Sequence, residues 1–86
     1  MAKSTLPGKV NSHIARSLRD ERLRQHLSLN VLASNAGLSR QMVSYVEQEL
    51  RKPTLDTLLR ICEVLDVRVE ELIAKARKSA TKPPKK

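Results

Sequence analysis

Apolar residues recur at helical spacing along the whole chain, and this constrains the fold more than any other feature. The sequence contains no long alternation of apolar and polar residues and no Asn-Gly or Asp-Gly pair that would mark a hairpin. A chain of 86 residues also suits one small domain and excludes a large enzyme scaffold. The sequence therefore predicts a single all-α domain.

Residues that start and stop helices divide the chain into five segments. Ser28, Ser39 and Thr54 each precede an apolar-patterned stretch and can accept a hydrogen bond from the first turn of a helix. Gly37 favours a helix end because glycine adopts the left-handed conformation, and Pro53 lacks a backbone donor. We predict helices from Asn11 or Ser12 to about His26, Leu29 to Ala36, Arg40 to about Glu49, Leu55 to Leu65, and about Arg68 to Lys78.

The two ends of the chain differ in composition from the part between them. Residues 1–10 contain a Pro-Gly break, and residues 77–86 combine basic side chains with two adjacent prolines. We expect a flexible N-terminal arm at 1–10, a folded domain at 11–76 and a basic, flexible tail at 77–86. The tail either follows DNA phosphates or serves only solubility.

The excess of positive charge predicts a polyanionic partner. The formal net charge is +8, which favours nucleic acid or an anionic surface without choosing between them. No apolar run approaches the roughly 20 residues that cross a bilayer, and the N-terminus lacks the apolar core of a secretory signal. We therefore expect a cytoplasmic protein that binds no membrane. Tyr45 is the only aromatic residue, which argues against the stacking surfaces of single-strand binders.

Catalytic and cofactor motifs find no support in the sequence. His13 and His26 lie on roughly opposite faces of the first predicted helix, and no carboxylate pair, glycine-rich phosphate loop or metal-ligand cluster accompanies them. Cys62 lies in an apolar stretch, where a small buried side chain is expected. We expect no enzymatic activity, no metal and no cofactor.

Two short helices joined by Gly37-Leu38-Ser39 match the pattern of a helix-turn-helix, whose second helix enters the major groove of DNA. The resemblance is to the Cro/C1 (XRE) family of repressors. It is carried in one unbroken register by Leu32-Ala33, Ala36-Gly37, Glu47, Pro53 and Leu65, within a stretch from about Ile14 to Ile73. It implies a compact five-helix, lambda-repressor-like DNA-binding domain with the helix-turn-helix at its centre.

The resemblance also implies a function and a set of base-reading residues. Family members are bacterial or phage transcriptional regulators, commonly repressors or autoregulators, that bind pseudo-palindromic double-stranded operators as dimers. The N-terminal half of the third helix then faces the bases, which places Arg40, Gln41 and Tyr45 toward the groove, with Ser44 and Met42 beside them. Arginine pairs well with guanine and glutamine with adenine. The competing interpretations are a solvated helix face and, for Tyr45, half-buried packing.

The same resemblance assigns contacts to the DNA backbone. Ser39 caps the third helix and places its N-terminal amides against a phosphate, and Ser28 and Asn30 lie similarly at the second helix. Arg51 and Lys52, after the third helix, correspond to positions along the backbone. The alternative for these two residues is a pair of solvated loop charges.

Arg22 and Glu47 match a family pair that forms a largely buried ion pair between the first and third helices. The resemblance implies that this pair has a structural role and does not contact DNA. Since removal of one partner of such a pair commonly costs about 3–5 kcal/mol, loss of DNA binding on its disruption can simply reflect unfolding.

Three positions depart from the family pattern. Leu29 stands where a phosphate-binding glutamine is common, and Glu49 and Asp66 stand where glycine commonly ends a helix. A non-glycine residue in the left-handed region costs about 1 kcal/mol or more. This predicts that the third helix runs on through Leu50 until Pro53 breaks it.

Dimerisation and partner choice remain open at the level of sequence. Leu59, Val69 and Ile73 are apolar residues of the fourth and fifth helices that either pack in the core or form a homodimer interface. The alternative function is an antitoxin or adaptor that mainly binds a partner protein, such as a toxin, and uses DNA binding for autoregulation. A third alternative is nonspecific coating of DNA through the basic tail.

Overall fold

A computed structural model describes residues 6–81 and shows an all-helical domain, as the sequence predicts. No strand occurs within these residues. The helices, in chain order, are α1 (Leu6–Arg24), α2 (Leu29–Ala36), α3 (Arg40–Glu47), α4 (Leu55–Leu65) and α5 (Val69–Thr81).

The first and last helices are longer than predicted. α1 begins at Leu6 instead of at a cap on Asn11 or Ser12, because Pro7 and Gly8 lie in the first turn, where proline's missing donor is tolerated. The Asn11 side chain donates to the Pro7 carbonyl, 3.2 Å away, within that turn. α5 continues to Thr81, so both helices extend into the segments predicted as arm and tail. Residues 1–5 and 82–86, which carry the rest of those predictions, lie outside the described residues.

One apolar core joins all five helices. α1 packs most extensively against α5, and α2 packs against both α3 and α4. The side chains of the core that are at most 1% exposed are Leu18, Leu32, Val43, Val46, Ile61 and Leu65. Leu50 and Leu55 lie outside this core, since they are 66% and 64% exposed. In α4 the buried position of the first turn is taken by Thr57.

Four helices end with the same left-handed residue geometry, although only one of the four residues is glycine. His26, Gly37, Glu49 and Asp66 all have φ between 59° and 71°. In each case the N–H of this residue bonds a carbonyl three residues back, and the next N–H bonds a carbonyl five residues back, the Schellman pattern. The prediction that α3 runs on through Leu50 is therefore wrong, since Glu49 adopts the strained conformation and α3 ends at Glu47.

Asp66→Gly is expected to raise the free energy of unfolding by roughly 0.5–1 kcal/mol, because glycine adopts a positive φ without a Cβ clash. The exposed Asp66 side chain makes no hydrogen bond or ion pair within residues 6–81, so little is lost with it. Urea denaturation measures the change. Glu63→Gly, in the interior of the same helix, is the matched control and should lower stability by about 1 kcal/mol. Changes of the same sign in both variants would contradict this account.

Candidate nucleic-acid interface

A tight turn between α2 and α3 positions the candidate interface. Gly37 has φ +71°, a conformation that favours glycine, and a Cβ at this position would lie 3.1 Å from Nη1 of Arg60 in α4, a tight contact that the arginine side chain would have to relieve. Ser39 caps α3, its hydroxyl accepting from the Met42 N–H at 3.0 Å. Val43 and Val46 are buried on one side of α3, and the other side of the helix faces solvent. The turn and the core together fix which face of α3 is presented.

The solvent face of α3 carries the predicted base-reading residues. Arg40 and Gln41 are exposed, and Ser44 and Tyr45 are half-buried. The Gln41 amide donates to the Tyr45 hydroxyl at 2.6 Å, so these two residues form one polar unit a helical turn apart. Arg40 has no ion-pair or hydrogen-bond partner among residues 6–81. Its guanidinium is therefore available to a ligand.

Two further residues at this face were missed from the sequence. Gln48 donates to the Ser44 hydroxyl at 2.6 Å, and Arg19 of α1 joins both residues in lining a cleft of about 230 Å³. Leu29, at the start of α2, also lines it. The helical spacing could have identified both, since Gln48 lies four residues after Ser44 and Arg19 lies three residues before Arg22, which faces α3.

A buried ion pair anchors α3 to α1 beneath this face. Arg22 Nε lies 2.7 Å from Glu47 Oε2 and its Nη2 lies 3.0 Å from Oε1, a two-point contact. Nη1 of Arg22 also donates to the Leu27 carbonyl at 2.8 Å. The two side chains are only 10% and 6% exposed. The pair thus ties α3 to α1, and the small exposed part of both side chains lines the same cleft as Arg19, Ser44 and Gln48.

The candidate backbone contacts fall into two groups. Ser28 and Ser39 are N-caps whose hydroxyls accept from Val31 and Met42 respectively, and Asn30 is exposed in the first turn of α2. Arg51 and Lys52 are exposed in the loop after α3. There they line a separate cavity of about 210 Å³ together with the N-terminal part of α1.

Charge is distributed unevenly along the described chain. Residues 6–54 contain eight Lys or Arg and four Asp or Glu, whereas residues 55–81 contain five of each. Within residues 6–54, six cations have no acidic partner within 4 Å in the described structure: Lys9, Arg16, Arg19, Arg40, Arg51 and Lys52. The helix-turn-helix half of the domain is therefore the half suited to a polyanion.

Perturbed pKa values lie away from the face of α3. Hydrogen bonds from Arg24 and Gln25 lower the pKa of Glu21, and hydrogen bonds from its own backbone N–H and from Arg68 lower that of Glu70. Burial raises the pKa of the Cys62 thiol, which is 2% exposed. Cys62 is therefore an apolar core residue with a protonated thiol at neutral pH.

The predicted dimer residues differ in exposure. Leu59 is 45% exposed, while Val69 and Ile73 are half-buried against the core. Leu55, one turn before Leu59, extends the exposed apolar surface of α4. No group of three His, Cys, Asp or Glu side chains in residues 6–81 is arranged to hold a metal ion. Within the same range, no helix is both long and apolar enough to cross a membrane.

Comparison with known proteins identifies relatives over the same part of the chain. Residues 18–72 match the helix-turn-helix family. Uncharacterized HTH-type transcriptional regulators from two strains of Mycobacterium tuberculosis are each 39% identical over 59 residues, which is 69% of this chain. The chain spans only 42% of the length of these relatives. Since the matched residues include the whole of α2, α3 and α4, the chain belongs to the helix-turn-helix family of the Cro/C1 (XRE) type.

Proposed function

We propose that this protein is a sequence-specific double-stranded DNA-binding transcriptional regulator, and that α3 lies in the major groove of its operator. The observation that carries the proposal is the solvent face of α3, where Arg40, which is unpaired within residues 6–81, and the Gln41–Tyr45 unit follow directly on the helix-turn-helix turn. The relatives that are named as transcriptional regulators support the same function. The protein acts in the cytoplasm and binds DNA without catalysis, cofactor or metal.

The chemistry of this face suits base recognition. The Arg40 guanidinium can donate two hydrogen bonds to guanine O6 and N7. One amide hydrogen of Gln41 is held by the Tyr45 hydroxyl, which leaves the other hydrogen and Oε1 for adenine N7 and N6. The contact with Tyr45 orients the Gln41 amide before DNA arrives and reduces the entropy lost on binding.

Backbone contacts set the position of α3 on the duplex. Ser28, Asn30 and Ser39 place the N-terminal turns of α2 and α3 against phosphates, and Arg51 and Lys52 supply cations beyond the end of α3. Arg19, beside Ser44 and Gln48, extends this set on the α1 side. These contacts supply affinity, whereas the base contacts supply specificity.

A homodimer reads the full operator in this proposal. One recognition helix covers only a few base pairs, so twofold pairing onto half-sites about 34–36 Å apart supplies the missing specificity. The exposed Leu59 of α4, together with the half-buried Val69 and Ile73 of α5, forms the interface between copies in this proposal. Repression follows if the operator overlaps a promoter, including the protein's own.

A second candidate function is binding to a partner protein, as in an antitoxin or adaptor. It is favoured by the large apolar side chains of Leu50 and Leu55, which are 66% and 64% exposed. In this alternative, DNA binding serves only autoregulation. Copurification of a second protein with the full chain, together with loss of that protein in Leu50→Ser and Leu55→Ser variants, would favour it.

Selection from a random duplex library tests the proposed function. We expect enrichment of an inverted repeat at near-physiological salt. Arg40→Ala and Gln41→Ala should each relax the preference at single base positions, with discrimination reduced by about 1–3 kcal/mol. Circular dichroism establishes that each variant is folded. A folded wild-type protein that enriches no sequence would contradict the proposal.

A further inference from the structure

The N-terminal half of α1 reaches the loop after α3 through one side-chain hydrogen bond. The Ser12 hydroxyl donates to Glu49 Oε1 at 2.6 Å, across 37 positions of sequence. Ser12 lies outside residues 18–72, the part of the chain that matches the family. The contact therefore joins a residue outside the matched stretch to Glu49, which lies within it.

Glu49 occupies a position where its backbone is strained. Its φ of +64° is in the left-handed region, where glycine would fit without strain. The helix-end hydrogen bonds are made by backbone atoms, so they do not require a glutamate. What the glutamate adds is its carboxylate, and the described contact of that carboxylate is with Ser12. A non-glycine side chain kept at a strained backbone position is a candidate for a functional role.

The loop that this contact holds carries two unpaired cations. Arg51 and Lys52 are exposed, and neither has an ion pair or side-chain hydrogen bond in residues 6–81. Glu49, Arg51 and Lys52 line one cavity with Gly8 and Asn11 of α1. The Glu49 carboxylate accepts from Ser12 and makes no direct ion pair with Arg51 or Lys52 within residues 6–81. The cations remain available to phosphate.

We infer that Ser12 and Glu49 are positioning residues for DNA binding, which hold the α3–α4 loop against α1 so that Arg51 and Lys52 meet phosphates of the duplex backbone. This inference rests on the proposed function, because it concerns the affinity of the same interface for DNA. Neither Ser12 nor Glu49 needs to contact DNA. Their effect is to present the two cations in one arrangement, which lowers the entropy lost on binding.

The test measures binding of the full-length protein to a fluorescent duplex of mixed sequence over a series of salt concentrations. Phosphate contacts do not depend on sequence, so no operator is required. Ser12→Ala removes the hydroxyl without changing any charge. We expect its dissociation constant to rise about threefold or more, and the slope of log K against log salt to become shallower by about 0.9 for each phosphate that the variant no longer binds.

Matched variants separate positioning from folding. Ser12→Thr keeps the hydroxyl and should retain wild-type binding, and Ser17→Ala makes the same substitution on α1 away from the loop and should leave binding unchanged. Ser12→Ala should unfold at the same or higher denaturant concentration than wild type, because alanine is the better helix former. A purely structural role for Ser12 predicts the opposite, a fall in stability with an unchanged salt slope.

A second pair of variants, both at Glu49, serves as a control for the change in charge. Glu49→Gln and Glu49→Gly both remove one negative charge, but only glutamine can still accept the hydrogen bond from Ser12. We expect the glycine variant to be the more stable of the two and yet to bind the duplex more weakly and with the shallower salt slope. Equal slopes for the two variants would overturn the inference.

The binding measurements give different results if the proposed function fails and if only the inference about Ser12 and Glu49 fails. If wild type binds no duplex at all, the proposed function fails. If wild type binds and the double variant Arg51→Ala/Lys52→Ala has a shallower slope, but Ser12→Ala does not, only the positioning role is overturned. If the double variant keeps the wild-type slope, the loop does not meet phosphate and the inference is overturned in the same way.

Discussion

Replacing Arg22 with alanine is expected to lower the free energy of unfolding by about 3–5 kcal/mol. The reason is the Glu47 carboxylate, only 6% exposed, which loses two hydrogen bonds at 2.7 and 3.0 Å and stays buried without a counterion. The Leu27 carbonyl also loses its side-chain donor. For a domain of this size the loss approaches the whole stability. Urea denaturation followed by circular dichroism measures it.

A nearby arginine provides the control for this prediction. Arg24 pairs with Glu21 at the surface, and its side chain is 71% exposed. Arg24→Ala should therefore cost less than about 1 kcal/mol. The double variant Arg22→Met/Glu47→Leu should recover much of the stability that Arg22→Ala removes, since it leaves no stranded charge. Similar losses for Arg22→Ala and Arg24→Ala would show that the pair is not the buried anchor described above.

Leu32→Ala is expected to lower the free energy of unfolding by about 2–5 kcal/mol. The Leu32 side chain is 0% exposed and lies in α2 among the core residues that hold α2 against α3 and α4. Removing it leaves a cavity at the base of the helix-turn-helix. Weaker DNA binding should follow from the unfolded fraction. The Asp66→Gly background, which adds only about 0.5–1 kcal/mol, should recover part of this binding.

Val31→Ala is the matched control for Leu32→Ala, because Val31 is the preceding residue of the same helix and is 44% exposed. It should cost less than about 1 kcal/mol. A loss as large as that of Leu32→Ala would mean that the two faces of α2 are assigned wrongly, and with them the face of α3.

The helices that could be predicted closely are those whose boundaries are set by local chemistry. α2 begins after Ser28 and ends before Gly37, and both residues act through hydrogen bonds or backbone angles of their own turn. The predicted α1 is too short, because Pro7 and Gly8 disfavour a helix interior but are tolerated in a first turn. Whether Pro7 and Gly8 fall in a first turn or in a helix interior depends on where the helix begins, and composition alone does not show that position.

The end of α3 could not be predicted because the helix-end hydrogen bonds and one tertiary contact outweigh the intrinsic backbone preference of Glu49 there. Intrinsic backbone energies disfavour Glu49 at positive φ and therefore favour a longer helix. A longer helix would carry Leu50 onward along the α3 axis, whereas the backbone hydrogen bonds to Tyr45 and Val46 and the contact with Ser12 turn the chain back. Contacts between residues so far apart in sequence have no signature in a single chain.

The residues of the candidate site also divide into those that the sequence alone could place and those that depend on contacts between helices. The resemblance assigns Arg40 and Gln41 by register alone, and both lie on the solvent face of α3. The Ser12–Glu49 contact was missed, because it depends on how α1 lies across the end of α3. Residues on one helix can be assigned to a face from their spacing in the sequence, whereas a contact between two helices can be found only when their packing is known.

Sequence-specific recognition of DNA by α3 can be tested by comparing two affinities of the wild-type protein at one near-physiological salt concentration. One is for its selected duplex and the other is for a shuffled duplex of the same composition and length. We expect the selected duplex to bind about 1,000-fold more tightly or better, and Arg40→Ala to reduce this ratio while leaving binding to the shuffled duplex within a few fold of wild type. Equal affinity of the folded wild-type protein for the two duplexes would contradict this expectation.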